Sequence, residues 1–241
     1  MTAENHGPAT SAPLPGRAFI PDGDQDRGRD HGRRPGASPS VVVPYITAWS
    51  TEQDLSGEVI CRPGGGIGYA DETVMDRDTR GVLWVRAVSR PGSARPVFGD
   101  VHSLRQRRAM RRLLCQVCGK PADRSPDGVL WLLPDFREDW PGWPDAMGNA
   151  EPPICVPCAH LAVRLCPRLR RGAVLIRVRE CPVEGVRGKL YVPGADGPVQ
   201  VDGGTFAFDD PRVRWVQAHG LVRELHGCTL LEPGELPECD S

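Results

Sequence analysis

From Val41 onward the apolar residues come in short runs broken by glycine and proline. Residues 41–43, 58–61 and 81–88 are β-type runs bounded by Pro44, Pro63, Gly81 and Pro91, and each is predicted to be a strand. The character changes over residues 103–114, which contain no Gly or Pro and open on Ser103, a suitable N-cap. Leu104, Ala109, Met110, Leu113 and Leu114 share one broad face of the predicted helix, and Arg105, Arg108 and Arg112 lie on another. Residues 128–133 are again strand-like, and a proline- and tryptophan-rich loop follows to Pro153. A second helix is predicted from near Pro157 to Leu165, shortened or kinked by Pro167. Beyond it, residues 173–179, 189–192, 199–201, 205–208, 213–218 and 221–225 suggest a β-meander.

The expected class is therefore α+β, a helical middle flanked by β-rich segments. Four segments follow: a disordered tail over 1–40, a β-rich region over 41–100, a cysteine-bearing module with basic helices over 101–172, and the meander with a short acidic tail over 173–241. The tail assignment rests on six prolines, five arginines and few apolar side chains beyond Leu14, Phe19 and Ile20, too little to offset the entropy of ordering. No repeat of fixed period is present.

Composition adds constraints. The 28 glycines and 25 prolines favour short strands and turns over long helices. The net charge of −1 gives no global attraction to a polyanion, but residues 101–190 hold 16 basic against 9 acidic side chains, so the middle is basic and the flanks acidic. Only Lys120 and Lys189 are lysines, a bias that a G- and C-rich genome accounts for without a functional cause. No run of 18 apolar residues occurs, and the first 40 residues lack the apolar segment of a secretory signal, so no membrane association and a cytoplasmic location are expected.

The chemistry is concentrated in cysteine. Cys115-x-x-Cys118 and Cys155-x-x-Cys158 are separated by 36 residues, room for a hairpin that brings the second pair back to the first. Two such pairs outside a disulfide-forming compartment point to metal, and four thiolates close the tetrahedron of one structural Zn²⁺ per chain. Gly119 permits the tight left-handed turn of a knuckle. Free thiols, a disulfide switch or an iron–sulfur centre are the alternatives. His160 is read as a helix residue and not a ligand, Cys166 as a small apolar residue, and Cys61, Cys181, Cys228 and Cys239 as unligated thiols. The glycines at 64, 65, 66 and 68 lack the Gly-Lys-Ser/Thr ending of a phosphate loop and are read as a turn. Trp131, Trp140 and Trp143 are read as packing groups before base-stacking ones.

A knuckle first and a helix-borne pair second, with a strand between, resembles the treble-clef zinc modules. The stretch from Leu114 to Gly119, with Gly148-Asn149 and the run from Pro153 to His160, also resembles the zinc-binding frame of HNH-type endonucleases over about 50 of 241 residues. That family carries a histidine between its cysteine pairs to activate water, and here none lies between Gly119 and Ile154. The resemblance thus implies a frame without its catalytic group. The functional expectation is a non-catalytic zinc protein in which Arg105, Arg107, Arg108, Arg111, Arg112, Arg164, Arg168, Arg170 and Arg171 contact the backbone of DNA or RNA. The alternatives are an HNH-type nuclease that borrows His102 or His160 as its base, and an accessory scaffold for a protein partner.

Overall fold

The computed structural model describes residues 42–231 apart from 53, 139, 168, 170 and 171. The expected tail over 1–40 and the acidic end beyond 231 lie outside that range.

The strand-rich body is organised by one long strand, β12 (Val216–Leu231). Its first half pairs with β10 (Val183–Gly194), which forms a hairpin with β11 (Gly197–Ala207) across the two-residue turn Ala195-Asp196. The glycines on either side, Gly194 and Gly197, face each other, and Gly197 takes a φ of 134°. The second half of β12 pairs with β9 (Ala173–Glu180), β9 with β7 (Gly128–Pro134), and β7 with β6 (Arg124–Ser125). Two short strands complete the eight: β4 (Leu83–Trp84), parallel to β12 at Gln217 and Ala218, and β8 (Met147–Asn149), antiparallel to it at Arg223 to Leu225. The sheet therefore draws strands from the β-rich, cysteine-bearing and meander stretches alike. Two-stranded ribbons stand apart: β1 (Thr47–Trp49) with β5 (Pro96–Val101), and β2 (Val59–Cys61) with β3 (Ile67–Tyr69).

β7 reads as an unbroken apolar run because both of its faces are buried. Val129, Trp131 and Leu133 join Val174, Ile176 and Val178 of β9, with Trp143, Met147 and Leu225, on one side. Leu130 and Leu132 point the other way, into a cluster with Cys115, Ile154, Val156, Cys158 and Ala159. The cysteine-bearing segments are thus fastened to the sheet by alternate residues of one strand. A fully buried leucine stabilises by about 1.5–3 kcal/mol relative to an exposed one.

Helix α1 (Ser103–Arg112) forms as expected, but it starts one residue earlier and is rotated. Its N-cap is His102, and Ser103 is the first helical residue. The buried face is Ser103, Arg105, Gln106, Ala109 and Met110, while Leu104 is 40% exposed. Two polar side chains explain the rotation. Gln106 donates to the carbonyls of Leu221 and Ala150 and accepts from the Leu221 N–H, filling the edge of β12 between β4 and β8 as a strand would. Arg105, 5% exposed, donates from both terminal nitrogens to Glu52 at 2.7 Å, and also to Ser89 and the Thr47 carbonyl.

Several strand boundaries move. Val42 and Val43 are not in a strand; the pairing begins at Thr47. The run over 81–88 keeps only Leu83–Trp84, because beyond the Val85 N–H bond to Ala218 the chain turns to other partners: the Arg86 N–H donates to the Ser56 hydroxyl. The runs 199–201 and 205–208 merge in β11, which ends at Ala207, and 213–218 divides into a 3-10 turn at Pro211–Trp215 and the start of β12. The unforeseen β3 lies after the glycine turn, where Gly64, Gly65 and Gly66 have φ values of 89°, 93° and 94°.

Candidate metal centre

The first cysteine pair is shaped by the way α1 ends. Leu113 adopts a left-handed conformation (φ 51°), the Leu114 N–H returns to the Ala109 carbonyl, and the chain reverses. Cys115 and Lys120 then close a tight turn: the Cys115 N–H donates to the Lys120 carbonyl at 2.7 Å and the Gly119 N–H to the Cys115 carbonyl at 2.9 Å. Gly119 is required twice over. Its φ is 71°, and a Cβ there would sit 2.9 Å from the Tyr45 ring. The second pair starts α2 (Val156–Leu165), with Cys155 as an extended N-cap, Pro157 and Cys158 in the first turn, and the Ala159 N–H bonded to the Cys155 carbonyl.

Backbone hydrogen bonds bring the pairs together. Asp123 donates to Ile154, Ile154 to Leu130 and Leu130 to Asp123, each at 3.0–3.1 Å, joining the exit of the knuckle, β7 and the approach to Cys155. Gln116 adds a main-chain bond to Pro153 and a side-chain bond to Pro152. The four sulfurs consequently lie within 4.8 Å of one another, the one such His, Cys, Asp and Glu group among the described residues. The Sγ atoms of Cys118 and Cys155 are 3.7 Å apart. A tetrahedron with metal–sulfur bonds of about 2.3 Å has edges near 3.8 Å, whereas a disulfide needs about 2.05 Å. The spacing matches a shared cation, and all four thiols are free of disulfides.

The electrostatics agree. Burial pushes the Cys155 thiol up to about 11. Burial and the neighbouring Cys115 and Cys155 push Cys158 up further still. At Cys118 burial is outweighed by hydrogen bonds from the Lys120 N–H and the adjacent thiols, and its value falls below the ordinary one. Four thiolates this close repel one another unless a cation lies among them. Such an ion would have Cys115 and Cys158 on its buried side and Cys118 on its exposed side. With four protein ligands there is no open position for water or substrate.

The arginines expected to form one basic surface are divided by the fold. Arg105 is buried against Glu52, which corrects its placement on an outward face with Arg108 and Arg112. Arg107 is half-buried with its guanidinium 3.7 Å over the Trp84 ring. Arg108, Arg111 and Arg112 are exposed and share one side of α1 by their i, i+3 and i+4 spacing; Arg108 approaches the Tyr45 hydroxyl at 3.4 Å, beside the knuckle. Arg164 is exposed near the end of α2. Arg168, Arg170 and Arg171 lie outside the described residues.

His160 is half-buried on α2 and is not in the sulfur group. His102 is 4% exposed, faces the Val88 carbonyl through Nε2, and is held below its usual value chiefly by burial. Trp131 and Trp143 are buried and Trp140 packs against them, on the side of β7 opposite the cysteines, in a cluster that also takes in Leu113 and Ala122 at the two ends of the knuckle. Cys61 is exposed; Cys166, Cys181 and Cys228 are half-buried, and Cys239 is outside the described residues. Sequence reasoning missed Glu52, Gln106 and Tyr45. Gly119 was the one signal for Tyr45, as a position where another group approaches closely; the two polar partners left none. Among the described residues no helix is long and apolar enough to cross a membrane. No protein-family model matches this sequence, and neither the curated proteins nor the solved structures give a match.

Proposed function

We propose that Cys115, Cys118, Cys155 and Cys158 hold one structural Zn²⁺ in a treble-clef-like module made of the knuckle, the β6–β7 hairpin and α2. The observation that carries this reading is the convergence of four free thiols within 4.8 Å, two of them in an apolar cluster. Zinc suits an all-thiolate tetrahedron with no redox demand, and its binding energy would go into folding. The chain is then a non-catalytic binding protein. Its zinc clasp fixes α1 so that Arg108, Arg111 and Arg112 present adjacent positive charges to a nucleic-acid backbone.

Metal analysis of the purified chain should give one zinc, lost in both Cys118→Ser and Cys158→Ser. A zinc content unchanged in both variants would overturn the clasp. Filter binding of DNA and RNA at low and moderate salt should show salt-sensitive retention that weakens when Arg108, Arg111 and Arg112 are changed to Gln. Retention unaffected by that triple change removes the nucleic-acid role and leaves the clasp standing. Association with a protein that survives nuclease treatment would favour the accessory-scaffold reading.

A further inference from the structure

Beside the exposed row of α1 stands an arginine that neither the metal centre nor that row uses. Arg107, four residues before Arg111, lays its guanidinium 3.7 Å over the ring of Trp84, a buried residue of the cluster that also holds Val186, Phe206 and Val216. That contact occupies one face of a planar group whose five N–H donors all lie along its edge. No hydrogen bond or ion pair reaches them from the described residues. Nε is buried, while the two terminal nitrogens open to solvent, where a ligand can meet them.

Its charged surroundings are mostly cationic. Arg111 is exposed and close enough to lower the proton affinity of Arg107. Arg80, also exposed, lies 4.3 Å over the ring of Phe208, which packs on the same cluster as Trp84, and its guanidinium has no carboxylate partner among the described residues. Both arginines flank Asp78, the carboxylate that acts on Arg107, but its oxygens already accept from the Trp84 indole and from the Arg80 and Val82 N–H groups. A further arginine over this cluster, Arg212 above Phe206, is neutralised by Asp210. Arg80, Arg107 and Arg111 thus share one carboxylate that hydrogen-bonds to none of their guanidinium groups.

Burial, and after it the charge of Arg111, hold Arg107 down to about 10, and Asp78 offsets only part of this. The group still carries its proton at neutral pH. A half-buried cation with idle donors is a standing cost to the fold, and an anion at its edge relieves it. The contrast with Arg105 is direct, since that arginine is more deeply buried but spends its fork on Glu52.

A guanidinium laid flat on a ring presents its edge in a fixed direction, which suits two parallel hydrogen bonds to one oxyanion. Three cations against one carboxylate favour a phosphate group, which carries more charge than a single carboxylate and has oxygens to spare for a second arginine. We propose that Arg107 anchors a phosphate-binding site, with Arg111 and Arg80 beside it, in which the terminal N–H groups of Arg107 hold two oxygens of one phosphate. The phosphate belongs either to a nucleic-acid backbone or to a smaller phosphate ester. The site shares Arg111 with the nucleic-acid surface proposed above but does not depend on that reading.

The test unfolds the full chain in urea at neutral pH, in sodium phosphate and in sodium chloride of equal ionic strength. Phosphate should raise the midpoint of the parent above its value in chloride. Arg107→Lys keeps the charge but loses the fork and should cut that gain by more than half. Arg80→Gln should reduce it as well, and because Arg80 is exposed its variant remains informative if Arg107→Lys folds poorly. Phosphate also stabilises proteins by being excluded from their surface, so an equal gain in the parent and both variants would overturn the proposal. Filter binding of duplex DNA and single-stranded RNA then separates the two sources. Retention weakened about tenfold by Arg107→Lys assigns the site to the nucleic-acid backbone. Where the phosphate gain depends on Arg107 but retention is absent or unaffected by Arg107→Lys, the site stands and its ligand is the smaller ester; absent retention removes only the nucleic-acid reading.

Discussion

At the scale of single residues, the charged group with most at stake is Glu52. Its side chain is fully buried, and its oxygens accept from Arg105 and from the Trp49 and Arg90 N–H groups. Burial alone would raise its pKa, but the Arg105 fork and the two N–H donors outweigh it and hold the group at about 2. A carboxyl bound more weakly to protons in the folded chain than in the unfolded one stabilises the fold above the unfolded value near 4.5. That contribution fades as pH falls toward about 2. Glu52→Gln should therefore destabilise the chain at pH 7 by about 3 kcal/mol, because Arg105 is left buried without its counter-charge. The gap between variant and parent should narrow steadily from about pH 4.5 to pH 2 in urea unfolding. A gap independent of pH would show that the pair contributes through packing alone. Arg105→Ala leaves the complementary charge stranded and should cost a similar amount.

At the scale of elements, legibility followed the range of the interaction that decides each one. The strand at 128–133 and both helices were plain because neighbouring residues carry the signal: an apolar run, a stretch without Gly or Pro, a proline in a first turn. The cysteine site was legible for the same reason, since two short spacers and Gly119 encode both turns locally. The rotation of α1 was not. Helical periodicity placed Leu104 inward and Arg105 outward, and the partners that reverse this, Glu52 and Leu221, are 53 and 115 residues away in sequence. Gln106 is the clearest case, an ordinary polar helix residue by sequence that completes a sheet edge in the fold. Gln106→Leu is close in size but leaves the Leu221 N–H, the Leu221 carbonyl and the Ala150 carbonyl without this partner. A loss of about 2–4 kcal/mol is expected in denaturant unfolding, with faster hydrogen exchange confined to the middle of β12. A substitution effect below about 0.5 kcal/mol, the level of an ordinary surface change, would show that water replaces the amide there.

At the scale of the whole molecule, the metal segment and the sheet share one strand but different sides of it. Leu130 and Leu132 serve the cysteine cluster, whereas Val129, Trp131 and Leu133 belong to a core that contains no cysteine ligand. The hairpin of β10 and β11 with the first half of β12 has its own cluster around Val186, Phe206, Val216 and Leu221, joined by Met110 of α1. Removing the proposed ion should therefore not unfold the chain uniformly. Without a cation, Cys155 and Cys158 take up protons and the attraction that gathers the four sulfurs is lost, which leaves the knuckle and the first turn of α2 to their backbone hydrogen bonds and their packing on Leu130 and Leu132. After treatment with a chelator, amides over residues 113–122 and 154–162 should lose protection in hydrogen exchange first. Those of β10 and residues 216–223 of β12 should keep most of theirs, since their hydrogen bonds and packing are independent of the cysteines. Added Zn²⁺ should restore the parent pattern, and Cys158→Ser should reproduce the stripped one without chelator. If the meander lost protection in step with the knuckle, the two would be one cooperative unit, with α1 transmitting the loss from its C-terminal knuckle through Gln106 and Met110 to β12.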